Sequence, residues 1–183
     1  NDIDQYVMEI LGTTDANIIV RYPPGEDVRL VNFTQPQNIV IDRPGFRFAE
    51  RPGELEIRPE DDNNLIDQLF WSNIVISGPT SILLDGIFFD KPVIAVDFYP
   101  TPRHLYARSW GYLLDHIQKL LSTGGVWYAA SRDDFIRGIR AYLTDPRMHA
   151  QGRARARERW FSYADGNSSH RLEREILALL GLK

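Results

Sequence analysis

Four short Val/Ile runs, at residues 17–20, 38–41, 74–76 and 93–96, limit what this chain can fold into. Each ends at loop-forming residues, and stretches of helical spacing lie before or between them. Runs this short and this apolar suit strands covered on both faces, and the helical stretches supply the cover. The expected architecture is therefore α/β: a Rossmann-like, doubly wound parallel sheet with helices on both faces and a helical C-terminal region. Residues 3–11 read as a first helix stopped at Gly12. Arg21, Tyr22, Pro23, Pro24 and Gly25 force a loop after the first strand. Residues 42–59 carry three prolines and two glycines and read as loop or irregular hairpin, with a short strand at 55–57. Asp61 or Asp62 is placed to cap a helix reaching Trp71. Residues 112–121 read as one amphipathic helix broken at Gly124 and Gly125. A short strand is expected at 126–128, a helix opening at Ser131, another opening at Pro146, and a last one capped by Ser168 or Ser169.

At 183 residues, one domain over 1–183 is expected, with the helices of 146–183 packed on it. The chain has no cysteine, which excludes disulfides, thiolate zinc sites and cysteine nucleophiles. Lys and Arg number 21 against 25 Asp and Glu, a net charge of −4, so no specific nucleic-acid binding is expected. The longest uncharged run, residues 68–84, contains Asn73, Gly78, Pro79 and Thr80 and makes a poor membrane span. No histidine–carboxylate cluster has metal-ligand spacing, so no metal site is expected.

The chemistry concentrates after the third run. A buried strand ends at Ser77, and Gly78, Pro79, Thr80 and Ser81 turn the chain into a helix whose start carries two hydroxyls. Open N–H groups, the helix dipole and the Thr80 and Ser81 hydroxyls favour an anion there. Ligands of open α/β sheets bind at the carboxyl ends of strands, where this turn lies. Asp85 sits one helical turn below Ser81, suited to accept hydrogen bonds from a ribose diol. The plainer alternative is that Thr80 and Ser81 only cap the helix and Asp85 is a solvated acid.

Residues 73–95 resemble the nucleotide-binding half of a GT-B glycosyltransferase. The strand Asn73-Ile74-Val75-Ile76-Ser77 is followed by Pro79-Thr80-Ser81-Ile82-Leu83-Leu84-Asp85-Gly86 and then Asp90-Lys91-Pro92-Val93-Ile94-Ala95. The resemblance is nearest to the CDP-glycerol glycerophosphotransferases and capsule polysaccharide transferases. Arg21-Tyr22-Pro23-Pro24 stands where many members read "RpHP", and Asp165-Gly166-Asn167-Ser168-Ser169-His170-Arg171 resembles the segment before their last helix. The resemblance implies a nucleotide-diphosphate sugar or polyol as donor and no separate cofactor. The diphosphate would lie on Thr80 and Ser81 and the ribose on Asp85. It further implies a second, N-terminal Rossmann-like half that supplies the catalytic base, which leaves this domain inactive alone. A cytoplasmic location is implied, at most peripheral at the inner membrane face. Since the chain opens directly on a helix at Asn1, the family's central first strand is expected to be lost or replaced.

Four departures stand out. Pro23 or Pro24 occupies the place of the family histidine, Asn73 that of an aspartate, Thr80 that of one of the paired serines, and Asp90 that of a glycine. Arg21 is a candidate for the diphosphate, and Arg103 and His104 follow the strand at 93–96 as further ligand candidates. Trp110 and Tyr112 either line an acceptor cleft or pack in the core. Arg153, Arg155, Arg157 and Arg159 form either a solvated helix face or a surface for an anionic acceptor or membrane. Two rival functions remain on the sequence alone: an enzyme like UDP-N-acetylglucosamine 2-epimerase, and a non-catalytic nucleotide- or sugar-binding module.

Overall fold

The computed structural model describes residues 2–25, 28–48, 55–101 and 110–182. Helix α1 (Asp2–Gly12) leads into strand β1 (Ile18–Arg21), followed by β2 (Ile39–Asp42) and a hairpin of β3 (Phe46–Arg47) and β4 (Leu55–Glu56). Then come α2 (Pro59–Trp71), β5 (Val75–Ser77), α3 (Ile82–Phe88) and β6 (Val93–Val96). A short 3-10 turn (Trp110–Leu113) precedes α4 (Asp115–Leu121), β7 (Trp127–Ala129), α5 (Arg132–Thr144), α6 (Ala150–Trp160) and α7 (Ser168–Leu179).

Strands β5, β6 and β7 form a parallel sheet with β6 in the middle. Its central strand shows why the fold is doubly wound. Val93 and Ala95 face a core with Leu83, Ile87, Tyr112 and Leu120. Ile94 and Val96 face the opposite core with Ile10, Phe135, Ile139 and Tyr142. Successive side chains of a strand point to opposite faces, and here both faces are covered by helices. The expected α/β class and parallel sheet are thus observed.

Strands β1 and β2 form a separate parallel pair, with Ile18 opposite Ile39 and Arg21 opposite Asp42. No strand precedes β1 among the described residues, as expected from the helical opening. Ile10 and Leu11 of α1 lie in a core against which Ile18 of β1 and Ile74 and Ile76 at β5 also pack. Helix α1 therefore bridges the strand pair and the three-stranded sheet by side chains.

Four boundaries differ from expectation. Helix α2 begins at Pro59, two residues earlier than Asp61, because proline suits a first helical position. Asp61 then accepts the Arg58 N–H at 3.0 Å from within the first turn. The single helix expected over 112–121 divides at Leu114, whose extended backbone (ψ 134°) separates the 3-10 turn from α4. Helix α6 opens at Ala150, not Pro146. His149 before it is left-handed (φ 62°), and the Arg153 guanidinium ties down the carbonyls of Met148 (2.7 Å) and Pro146 (3.0 Å). Asn167, ahead of Ser168, takes the cap position of α7. Ser131 does cap α5, its hydroxyl accepting the Asp134 N–H at 3.1 Å.

Helix α6 meets the sheet's loops at backbone distance. A Cβ on Gly152 would lie 2.2 Å from the Gly124 backbone, so only glycine permits this approach. Helix α7 buries none of its residues, while Gly152, Arg153 and Ala156 of α6 are buried. Among the described residues no helix is long and apolar enough to cross a membrane.

Candidate functional site

The turn after β5 lies at the carboxyl edge of the three-stranded sheet. Buried Leu83 and Ile87 fix α3 against Val75 and Val93, which holds the turn at that edge. Gly78 has nothing within 4 Å of the place a Cβ would take, so backbone there is open to an approaching group. The Thr80 N–H turns back to the Gly78 carbonyl at 2.9 Å, whereas the Ser81 and Ile82 N–H groups find no backbone acceptor among the described residues. The open donors are thus those of Ser81 and Ile82, the N-cap and first residue of α3.

The hydroxyls separate the two readings of this turn. Neither caps α3, since the helix has no side-chain cap bond. Thr80 pairs with the Ser77 hydroxyl at 2.9 Å, and Ser81 is exposed with its hydroxyl open. Ser81 thus holds the N-cap position of α3 without a side-chain hydrogen bond to the helix. Asp85 stands one turn deeper, partly buried, with neither a hydrogen bond nor an ion pair from the described residues. Burial alone pushes its carboxyl above the usual carboxylate range. A desolvated carboxylate without a compensating donor among the described residues is costly to keep charged.

Other expected residues are placed differently. Arg21 is taken by an ion pair with Asp42 and donates to the Asp61 carbonyl at 2.8 Å. Asp42 also accepts from Gln68 at 2.7 Å, so Arg21 closes a network between β1, β2 and α2 and is not presented to a ligand. Arg103 and His104 lie outside the described residues. The arginine row is largely consumed by internal bonds. Arg153, only 2% exposed, and Arg157 both grip Asp90, at 3.0 and 2.8 Å. Arg155 donates to the Thr123 carbonyl at 2.6 Å, and Arg159 stacks over Trp160. This corrects the picture of four solvated cations: Arg153 is a buried bolt between α3 and α6. Asp90 has a positive φ of 56°, which explains why its place in the resembling family suits glycine. Asp165 grips Arg171 through both oxygens (2.9 and 2.8 Å), so that motif clamps the start of α7.

One group at this edge was not singled out from sequence. Asp97, directly after β6, is buried and accepts the Tyr128 hydroxyl. Tyr112 is buried, donates to the Val96 carbonyl at 2.8 Å and sets its ring edge-on to Tyr128. Burial, with Asp97 as the next cause, lifts the Tyr112 phenol far above its ordinary range. The available signal was an acid closing a wholly apolar strand at the ligand edge. Tyr112 thus belongs to the core, whereas Trp110 is 71% exposed. Away from this edge, a cleft of about 480 Å³ bordered by Gly124, Arg147, His149 and Arg155 opens near the amino end of β7. Among the described residues no group of His, Asp or Glu is gathered to hold a metal ion.

A model of the family described as CDP-glycerol:poly(glycerophosphate) glycerophosphotransferase matches residues 51–178. The match includes the turn, Asp85, the Asp90 clamp and the Asp165–Arg171 clamp, and it leaves out Arg21. No curated protein and no solved structure matches the chain.

Proposed function

From the chain's membership in the CDP-glycerol:poly(glycerophosphate) glycerophosphotransferase family, to which it belongs over residues 51–178, we propose that it is the donor-binding domain of a transferase using a nucleotide-diphosphate polyol or sugar. The diphosphate lies over Gly78 and Pro79 against the Ser81 and Ile82 N–H groups and the Thr80 and Ser81 hydroxyls. The ribose diol donates to Asp85. The observation that carries this reading is the partly buried Asp85 carboxylate, one turn below the Ser81 hydroxyl, both without a partner among the described residues.

The chemistry follows from the donor. An acceptor hydroxyl attacks the phosphorus or carbon that bears the transferred group, its proton leaves to a base, and the bond to the nucleotide breaks. Negative charge grows on the departing phosphate, and donors already aimed at it stabilise that charge more than the ground state. A surface polysaccharide-type polymer supplies the acceptor, and a second Rossmann-like half supplies the base. Family membership favours transfer over epimerisation. A binding module without turnover remains the second reading, favoured by Pro23 and Pro24 standing in place of the "RpHP" histidine.

Calorimetric titration of the chain with CDP, UDP and GDP tests the proposal. Saturable binding of at least one is expected. Asp85→Asn is expected to weaken it by about tenfold or more, the value of a hydrogen bond to a charged group. No binding at millimolar nucleotide by a folded chain overturns it.

A further inference from the structure

The 3-10 turn Trp110–Leu113 has no obvious reason to lie where it does. Of its four residues only Tyr112 is buried, and Trp110 and Leu113 are 71% and 74% exposed. Apolar burial therefore fixes one side chain, not the segment. Its backbone, however, approaches the candidate phosphate turn very closely. A Cβ built on Gly111 would lie 2.5 Å from Cγ and 3.0 Å from Cβ of Pro79. The struck group is a proline ring, which is fused to its own backbone and cannot swing aside as a flexible side chain would. A Cβ at position 111 would thus push on the backbone of residue 79 through that ring.

We propose that this 3-10 turn is a brace that sets the position of the Gly78–Ser81 phosphate turn, with Gly111 as the bearing surface and Tyr112 as the anchor; the inference rests on the donor-site reading above. Among the described residues the anchor is held at three points, one of them its carbonyl, which accepts from the Gln118 side-chain amide. The Tyr112 hydroxyl donates to the Val96 carbonyl at 2.8 Å, and its ring stands edge-on to Tyr128 at 5.3 Å. Tyr128 in turn bonds Asp97. The end of the central strand, the β7 edge and the turn after β5 are thereby linked through one short segment. Gly111 and Tyr112 are positioning residues: they act on the ligand only through Pro79.

The size of the effect follows from the geometry. Ordinary contact begins near 3.4 Å, so a methyl on Gly111 displaces the turn by about 1 Å, enough to spoil several directed hydrogen bonds together. The test is titration of the full chain with CDP, UDP and GDP, following whichever binds, with circular dichroism and a melting curve on each variant. Gly111→Ala is expected to weaken binding about tenfold or more while the fold persists. The double variant Pro79→Ala/Gly111→Ala removes the hardest-struck atom, Cγ, leaving only the tight but tolerable Cβ approach at 3.0 Å, and is expected to bind within about twofold of Pro79→Ala alone, the signature of a direct coupling. Tyr112→Phe keeps the ring and loses the anchoring bond, with an expected loss of about threefold; it serves where Gly111→Ala fails to fold. Wild-type binding that neither Gly111→Ala nor Tyr112→Phe alters overturns the brace and leaves the donor site standing. Weakening by Gly111→Ala that Pro79→Ala does not relieve also overturns it. A wild-type chain that binds no nucleotide overturns the donor site and the brace with it.

Discussion

The β5–β6–β7 sheet and the β1–β2 pair are both parallel and both built from Val/Ile runs, yet they are covered very differently. In β6 all four residues are buried. In the pair only Ile39 is buried, and the cross-strand partners Ile19 and Val40 are 56% and 62% exposed. Strand composition therefore does not determine burial; helical cover on the second face does. The site belongs to the doubly covered sheet, where the turn after β5 is fixed by Leu83 and Ile87. Arg21 belongs to the half-covered pair, and its charge is spent on Asp42, which joins that pair to α2.

The contrast is broken most sharply by core truncation. Leu83→Ala, fully buried under the candidate site, is expected to cost about 3 kcal/mol in urea unfolding, whereas Val40→Ala costs less than about 0.5 kcal/mol. Equal losses would mean that the pair is covered as well as the sheet.

A comparable difference is expected along α6. Arg153→Ala orphans the Met148 and Pro146 carbonyls and empties a buried volume, with an expected loss of about 3 kcal/mol. Arg159→Ala, on the exposed face, stays within about 0.5 kcal/mol. Thermal unfolding of the two variants side by side checks this. Similar values would return the arginine row to a solvated face.

The smallest stability effect is expected inside the site. Because burial raises the Asp85 carboxyl in the folded chain, the native state holds that proton more tightly than the unfolded one. Its contribution to stability is then highest below the ordinary carboxylate pKa and falls as pH rises through the raised one. Asp85→Asn removes this decline, so at pH 7 the variant is expected to be at least as stable as the wild type while binding nucleotide more weakly. Chemical denaturation at pH 4 and pH 7 reads the first part. A variant clearly less stable at pH 7 would give Asp85 a structural partner and remove the reason to place a ribose there.

Much of this was legible in the sequence, for identifiable reasons. The strands at β1, β2, β5 and β6 follow from local Val/Ile runs bounded by Pro and Gly, and β7 from the short apolar stretch after Gly124 and Gly125. The Ser131 cap is a four-residue signal. The strand–turn–helix at 75–88 and the spacing of Ser81 and Asp85 are equally local. The start of α6 was not legible, because Pro146 is a good opening residue and only the reach of Arg153 back to residues 146 and 148 turns the chain there. Nor was the split at Leu114, since residues 112–121 keep helical spacing across it. Asp97 and Tyr128 were missed because 31 positions separate them and only strand pairing brings them together.

The amino-acid sequence by itself determined the class of fold and the strand–turn–helix that carries two hydroxyls and, one turn on, a carboxylate, since each follows from spacing within one or two turns of chain. Tertiary structure alone decided which polar groups are spent and which are left open. Arg21, Arg153 and Arg157 find carboxylates far away in sequence, whereas Ser81 and Asp85 find none among the described residues. That partition depends on distances between elements, which no local pattern encodes.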